Sequence, residues 1–211
     1  MDDSTLDVYN RHSGKFAKDW HEQPEPTDLR AVVREYFRPG LTADVGCGSG
    51  QDTAWLSEHG YPAIGFDPSE GLLKEARLRY PGIRFQRSAL PDLEGAADGS
   101  FVNVLCETVI MHLEAETIAP SVRRLMALLE TGGTLYLSWR VTEGSDRRDE
   151  HGRLYTAFDS SLVVEALSTA SIVLDEQKVS ASSGAIIHRI VARKVAVPSL
   201  AAPPGLLADA R

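Results

Sequence analysis

Apolar positions along the chain follow two alternating spacings, one typical of strands and one typical of helices. Short apolar runs predict strands at residues 41–45, 63–66, 84–86, 101–106 and 134–139. Helical spacing predicts crossover helices at residues 52–59, 70–79 and 118–129. Because strands joined by right-handed helical crossovers run parallel, the pattern predicts an α/β fold. Its sheet is doubly wound and mostly parallel, with helices on both faces.

The last part of the predicted sheet is antiparallel. Residues 172–179 and 185–193 are β-compatible and flank Ser182-Ser183-Gly184, which is a hairpin signal. A helix is predicted at residues 160–168, and the polar stretch 141–155 is predicted to be a loop. Residues 196–211 are rich in Ala, Pro and Leu and are predicted to form a flexible tail, so a single domain covers residues 1–195.

Two helices are predicted before the first strand. One helix over residues 6–20 places four ring side chains on one stripe, namely Tyr9, His12, Phe16 and Trp20. A second helix is predicted at residues 29–37, with Thr27 or Asp28 as its cap. Residues 1–38 therefore form a helical cap, which either packs its aromatic stripe on the core or covers a ligand site as a lid.

The most informative motif is a glycine cluster that follows the first strand and opens the next helix, Asp44-Val45-Gly46-Cys47-Gly48-Ser49-Gly50. Glycines in this position let the backbone turn tightly and approach a ligand without a Cβ clash. Asp67 ends the next strand, 21 residues after Gly46. A carboxylate there can accept hydrogen bonds from both hydroxyls of a ribose. Together these features predict a nucleotide site and not a simple turn.

The spacing of the glycines argues against a dinucleotide. A G-x-G-x-x-G fingerprint that starts at Gly46 needs a glycine at position 51, where Gln51 stands. The carboxylate of Asp44 would repel a phosphate, but it suits a ligand that carries an ammonium group. A nicotinamide oxidoreductase is therefore the weaker alternative, and the better ligand is a nucleoside joined to a cationic amino acid.

With these residues the sequence resembles the class I S-adenosylmethionine-dependent methyltransferases of the small bacterial type, closely over about residues 40–140. The resemblance implies a seven-stranded sheet with a C-terminal antiparallel hairpin, and S-adenosylmethionine as the cofactor. Asp44 would face the methionine ammonium and Asp67 the ribose hydroxyls. The residues that the resemblance places at the cofactor are Asp44, Gly46, Cys47, Gly48, Gly50, Asp67, Pro68, Ser88, Ala89, Leu90, Glu107 and Thr108. Ser88 departs from the family, which commonly has an acid there, although a hydroxyl can still accept a hydrogen bond from adenine.

The resemblance also implies where catalytic residues would lie. The family often has a histidine or an aromatic residue near the transferred methyl, and His112 lies in that stretch, just past the fourth strand. Its imidazole could act as a base, or it could be a packed and hydrogen-bonded histidine. Tyr9 matches a tyrosine near the chain start that often faces the sulfonium in such enzymes.

Four residues are candidates for contacting the methyl acceptor, namely His12, Trp139, Arg140 and Arg153. Arg140 or Arg153 could bind a carboxylate or another anionic group. The alternative is that the loop over residues 141–155 is a solvated segment of mixed charge.

Composition narrows the partners. The 211 residues include 22 Lys and Arg against 30 Asp and Glu, a net charge of −8. This charge disfavours a nucleic-acid partner and favours a small-molecule acceptor. Cys47 and Cys106 have no metal-ligand spacing and are predicted to be reduced core thiols, which indicates a cytosol and no metal site. Because no apolar stretch is long enough for a signal peptide or a membrane span, we expect a cytoplasmic protein without a membrane segment. A S-adenosylmethionine-binding regulator or scaffold without turnover is the alternative function.

Overall fold

A computed structural model describes residues 1–196 and contains a seven-stranded sheet in the order β3-β2-β1-β4-β5-β9-β8. The strands are β1 Thr42–Val45, β2 Ala63–Asp67, β3 Arg84–Arg87, β4 Phe101–Cys106, β5 Leu129–Arg140, β8 Ala170–Val179 and β9 Ile186–Lys194. Strands β1 to β5 pair in parallel, whereas β9 runs antiparallel to both β5 and β8. The predicted fold class is confirmed.

The helices that follow the first strand cover both faces of this sheet. They are α4 Gln51–Glu58, α5 Glu70–Arg79, α6 Ala115–Leu128 and α7 Ser161–Ala166, with α3 Thr27–Tyr36 before β1. Residues Leu105 and Tyr136 pack in one apolar core with α3 and α4, whereas their neighbours Val104 and Leu135 pack in a second core with α6. This separation follows from the two-residue alternation of strands.

The order of the strands reverses beside β1. The chain runs outward from β1 through β2 to β3 and then returns to β4 on the other side of β1. Open α/β sheets bind ligands at the carboxyl ends of the strands next to such a switch point. The segments that leave β1, β2 and β4 all lie at this edge, and they begin with Gly46, Pro68 and Glu107.

The N-terminal region departs from the predicted single helix over residues 6–20. It consists of α1 Asp3–Arg11 and α2 Ser13–His21, which are separated at His12 with φ −114° and ψ 20°. The rings of Tyr9, Phe16 and Trp20 still contact one another, with centroids 5.2 to 6.0 Å apart. His12 is exposed, and its ring lies 6.5 Å from that of His151.

Two boundaries also differ from the prediction. The N-cap of α3 is Pro26 without a side-chain hydrogen bond, and Asp28 instead lies 3.9 Å from both Lys178 and Arg189. Strand β5 begins at Leu129, directly after α6 and before the predicted start at residue 134, so Gly132 lies inside the strand. The pairing of β5 with β4 is irregular at this point, which lets the glycine adopt a φ of 79° without ending the strand.

The prediction of a loop over residues 141–155 is wrong, because this segment contains a second, two-stranded sheet. It consists of β6 Arg147–Arg148 and β7 Leu154–Tyr155. From here on, the hairpin means residues 147–155, and the C-terminal antiparallel strands are called β8 and β9. Asp149 stabilises the turn of the hairpin by accepting the backbone N–H groups of His151 and Arg153 at 3.0 and 2.9 Å. Strands of two residues are too short to show an alternating pattern in the sequence.

The tail predicted for residues 196–211 lies outside the described residues from residue 197 onward. Within residues 1–196, no helix has the length and apolar character needed to cross a membrane.

Helix α1 is attached to the hairpin by side chains near its start. Asp2 caps α1 through the backbone N–H of Thr5 at 2.8 Å, and Arg148 donates two hydrogen bonds to the same carboxylate at 2.9 and 2.8 Å. The hydroxyl of Thr5 accepts the backbone N–H of Leu154 at 2.9 Å. Arg148 lowers the pKa of Asp2 below its usual range.

We expect Asp2→Ala to loosen α1 by about 1–2 kcal/mol, because the variant loses the cap and the contacts with Arg148. Limited proteolysis should then cut within residues 3–11 roughly 5–30 times faster, since cleavage follows the population of the open segment. Asp7→Ala is the matched control, because Asp7 lies on the same helix and only pairs with Arg11 in solvent. Equal cleavage of both variants would show that the Asp2 contacts do not hold α1 in place.

Candidate functional site

A cavity of about 530 Å³ lies at the carboxyl edge of the parallel strands, within the size range of small-molecule sites. We name three groups of its lining residues the loop region, the hairpin region and the Arg30 region. The loop region consists of Gly46, Cys47, Gly48, Ser49, Asp67, Glu107 and Thr108. The hairpin region consists of Tyr9, Met111, His112, Arg140, Arg153 and Tyr155. The Arg30 region consists of Arg30, Asp52, Trp55 and Glu58.

The glycine loop packs too closely to accept side chains. Gly46 and Gly48 have φ values of 77° and 52°, in the left-handed region that favours glycine. A Cβ on Gly46 would lie 2.2 Å from Cγ2 of Val109, and a Cβ on Gly48 would lie 2.9 Å from the ring of Trp20. The loop therefore presents bare backbone to the cavity.

Asp67 joins the glycine loop to the end of β2. One carboxylate oxygen accepts the N–H of Gly48 at 2.9 Å and the other accepts the N–H of Ser69 at 2.8 Å. Burial raises the pKa of Asp67 to about 6, while these two bonds favour the charged form. Each oxygen of a carboxylate can accept a further hydrogen bond, so Asp67 can still bind a pair of hydroxyls in the cavity.

Two further acids lie near Asp67 with raised pKa values. Asp44 is buried behind the cavity wall and accepts the hydroxyl of Thr53 at 2.6 Å, and desolvation raises its pKa well above the usual range. Glu107 lines the cavity and accepts a hydrogen bond from the hydroxyl of Ser138 at 2.5 Å. Burial raises the pKa of Glu107 to about 7. A cationic ligand would relieve this desolvation, so the loop region favours positive charge.

The hairpin region contains a chain of hydrogen bonds around His112. Nδ1 of His112 lies 2.5 Å from the carbonyl oxygen of Leu154, which can only accept, so Nδ1 carries the proton. Nε2 then accepts the hydroxyl of Tyr9 at 3.0 Å, and Arg153 donates to the same hydroxyl oxygen at 3.2 Å. Burial lowers the pKa of His112 to about 4, and the nearby charges of Arg153 and Arg140 lower it further. Burial raises the pKa of Tyr9 to about 12.

The two arginines of the hairpin region differ in their partners. Arg153 donates from Nε to Asp149 at 2.7 Å and pairs with it again through Nη2 at 2.7 Å. Arg140 is the last residue of β5 and half-buried, and its Nε is enclosed without a hydrogen-bond partner. Within residues 1–196, Arg140 forms no ion pair.

Arg30 is a site residue that the sequence analysis missed. Its side chain is only 5% exposed, donates from Nη2 to Asp52 at 2.6 Å and lies over the ring of Trp55 at 4.3 Å. Its Nε and Nη1 are buried without partners. The available signal was its position in α3, next to the apolar residues Leu29 and Val32, where a charged side chain is buried among core positions.

Several predicted site residues lie away from the cavity wall. Trp139 stacks on His188 at 4.5 Å, because successive residues of β5 face opposite sides of the sheet and only Arg140 faces the cavity. The hydroxyl of Ser88 donates to the carbonyl of Glu94 at 3.0 Å. The other predicted residues outside the lining are His12, Asp44, Gly50, Pro68, Ala89 and Leu90.

A family model described as a methyltransferase domain matches residues 43–133. These residues run from β1 into β5 and contain the glycine loop, Asp67 and Glu107. Residues 43–133 of the chain are thus similar to a methyltransferase domain, in agreement with the resemblance found in the sequence.

The curated relatives of this methyltransferase domain include trans-aconitate 2-methyltransferases. The one from Sinorhizobium fredii is 32% identical over 129 residues, which cover 58% of this chain and 47% of that protein. The one from Methylobacterium nodulans is 34% identical over 129 residues, with the same coverage of 58% and 47%. The chain spans about half the length of these curated relatives.

A solved structure extends the likeness over most of the chain. The 1,6-didemethyltoxoflavin-N1-methyltransferase of Burkholderia thailandensis, with bound 1,6-didemethyltoxoflavin and S-adenosylhomocysteine, has a TM-score of 0.71 at 21% identity. The superposition covers 92% of this chain and 88% of that one. At this identity the likeness shows that the methyltransferase domain and its flanking elements share a fold.

Proposed function

We propose that this protein transfers a methyl group from S-adenosylmethionine to a small-molecule acceptor. The observation that carries this proposal is the loop region, where bare glycine backbone and Asp67 meet two further acids beside one cavity. This combination suits a nucleoside that also bears positive charge. The methyltransferase domain and the names of the relatives support the same reaction.

The residues present fit S-adenosylmethionine in three ways. Asp67 can accept both ribose hydroxyls. Asp44 and Glu107 favour the ammonium and sulfonium charges electrostatically. Arg30 also lines the cavity, and a guanidinium suits the methionine carboxylate because its donors pair with carboxylates in a planar fork.

The protein's role in the reaction is to position and to enclose. When bound, S-adenosylmethionine supplies a methyl group on a good leaving group, a neutral thioether. The glycine loop would hold the nucleoside, while Tyr9 and the hairpin residues that line the cavity would help to keep water from the reacting atoms. A base is needed only when the acceptor carries a proton that must leave, so the base role of His112 stays a hypothesis.

Measurements distinguish two alternative functions from methyl transfer. A regulator would bind S-adenosylmethionine without releasing S-adenosylhomocysteine in the presence of any acceptor. A nicotinamide oxidoreductase would bind a pyrophosphate at the glycine loop, where the buried charges of Asp44 and Asp67 oppose a phosphate. Competition between NADH and S-adenosylhomocysteine in calorimetry distinguishes that alternative.

We expect Asp67→Ala to weaken binding of S-adenosylhomocysteine by about 1–3 kcal/mol, because the ribose loses hydrogen bonds to a charged group. Titration calorimetry measures this change. Asp92→Ala is the control, since Asp92 is exposed on a loop outside the cavity. Thermal unfolding of both variants checks the fold, because Asp67 also accepts two backbone N–H groups. An unchanged affinity in folded Asp67→Ala would contradict the assignment of the ribose site.

A further inference from the structure

We infer that the methyl acceptor is a small carboxylic acid, that Arg140 binds its carboxylate, and that a carboxylate oxygen receives the methyl group. The inference rests on the proposed function and names the acceptor class of the same cavity.

Arg140 is the group in the hairpin region that calls for an anionic partner. The residue is half-buried and lines the cavity at the carboxyl end of β5, and within residues 1–196 its side chain makes no hydrogen bond or ion pair. Its Nε is enclosed by protein, so the two Nη groups are the donors that a ligand in the cavity can reach. A charged donor that is withdrawn from water and left without a partner is costly. Arg153 does not need a ligand in this way, because Asp149 already pairs with it. A carboxylate would satisfy Arg140 through two parallel hydrogen bonds.

The groups around His112 disfavour an acceptor that must lose a proton. Nδ1 already donates to Leu154, and Nε2 already accepts from Tyr9. The charged and titratable groups that face the imidazole are Tyr9 from α1, Arg140 from β5, and Asp149, Arg153 and Tyr155 from the hairpin. The two arginines oppose a positive imidazole, so a proton would find no favourable acceptor there. A carboxylate carries no proton at neutral pH, because carboxyl groups titrate near pH 4.

Methylation of a carboxylate balances without acid–base catalysis. A lone pair of the carboxylate oxygen forms a bond to the methyl carbon as the carbon–sulfur bond breaks. The electron pair of that bond goes to sulfur, and no proton moves. The products are a methyl ester and S-adenosylhomocysteine. Because the negative charge on the acceptor is lost during this step, Arg140 favours the bound acid more than the transition state, and its removal should act on KM more than on kcat.

The chemical class of the product can be read directly. The protein is incubated with methyl-tritiated S-adenosylmethionine and trans-aconitate, other di- and tricarboxylates, phenols or amines, and also with a low-molecular-weight bacterial extract. Mild alkali releases methanol from methyl esters but not from ethers, amines or thioethers. We expect volatile, alkali-labile label from the carboxylates and the extract. Alkali-stable label alone, or no transferred label in any sample, would overturn the inference.

Variants then test the residue. Arg140→Gln should raise KM for the best carboxylate about 10²-fold with kcat within about fivefold, since an unpaired bound charge has this effect at desolvated sites. Arg140→Lys should recover part of the loss because it keeps the charge without the fork. Arg123→Gln, an exposed arginine of α6 outside the cavity, is the control and should match the wild type. An unchanged KM in folded Arg140→Gln would remove Arg140 from the acceptor site.

The pH dependence of kcat and a His112 variant give a second, independent test of the carboxylate acceptor. With a carboxylate acceptor, kcat should stay flat between pH 6.5 and 8, and His112→Gln should keep kcat within about fivefold. A rate that rises with pH together with a loss of about 10²-fold in His112→Gln would show a base and overturn the carboxylate assignment. Binding of S-adenosylhomocysteine by calorimetry separates this failure from that of the proposed function, which requires the binding in either case.

Discussion

The Gly46→Ala variant is expected to lose measurable binding of S-adenosylmethionine and about 2–5 kcal/mol of its unfolding free energy. Gly46 has a φ of 77°, where an L side chain costs about 1–2 kcal/mol. The added Cβ would also lie 2.2 Å from Cγ2 of Val109, and forcing a methyl group into a packed interior costs about 1–3 kcal/mol. Since Gly46 lines the cavity, the required shift displaces the surface that meets the ligand.

Gly60→Ala is the matched control for this experiment. Gly60 has a φ of 90°, yet nothing lies within 4 Å of its added Cβ, and it is not part of the cavity wall. It therefore carries the backbone cost of about 1–2 kcal/mol alone and should keep full affinity. Denaturant unfolding and calorimetry on both variants make the comparison. If both variants lost the same stability and both kept binding, the close packing of the glycine loop would have no functional meaning.

The second large effect is a dependence of stability on pH. We expect the unfolding free energy of the ligand-free protein to fall by about 1–3 kcal/mol between pH 6.5 and 8. Glu107 and Asp44 have folded pKa values raised by burial, to about 7 for Glu107 and well above the usual range for Asp44. Between the unfolded and folded pKa the native state holds more protons than the unfolded state, so its stability declines as pH rises. The window starts above pH 6.5 because His112, with its folded pKa lowered to about 4, has the opposite effect below that point.

Asp44→Asn tests which carboxylate is responsible. The amide keeps an acceptor for the hydroxyl of Thr53 but cannot ionise, so the variant should be more stable than the wild type at pH 8 and should show a shallower decline. It should also bind S-adenosylmethionine roughly 10²-fold more weakly, because a bound cation favours ionised Asp44 and the amide cannot supply that charge. Asp92→Asn, on an exposed loop, is the control. Parallel stability curves for Asp44→Asn and the wild type would contradict the buried-charge explanation.

The parallel part of the sheet could be predicted from the sequence because its signals are local. An apolar strand, a short turn and a helix follow one another at β1, β2 and β4, and the strand ends place Asp67 and Glu107 at the same edge of the sheet. The break at His12 was missed because the aromatic spacing in the sequence continues through it, although Gly14 lies two residues beyond it. The hairpin was missed because each of its strands has two residues.

The states of the arginines depend on contacts that no local pattern contains. Four arginines lie close together in the sequence beside several acids, namely Arg140, Arg147, Arg148 and Arg153. The sequence therefore predicts ion pairs in this segment but does not identify which arginine pairs with which acid. In the structure Arg148 pairs with Asp2 and Arg153 with Asp149, while Arg140 is separated from these acids because it ends a strand of the large sheet. Its isolation is a product of the tertiary fold.

The methyltransferase-domain match ends at residue 133, yet Tyr9, Arg140 and Arg153 all lie outside it. On the proposed assignment, the glycine loop and Asp67 lie inside this match, whereas much of the surface for the acceptor lies outside it. Exchange of α1 and the hairpin would then change the acceptor while the glycine loop stays unchanged. For enzyme engineering, combinatorial libraries aimed at a new acceptor belong in residues 1–11 and 140–155, whereas Trp20 should be kept because its ring packs against Gly48.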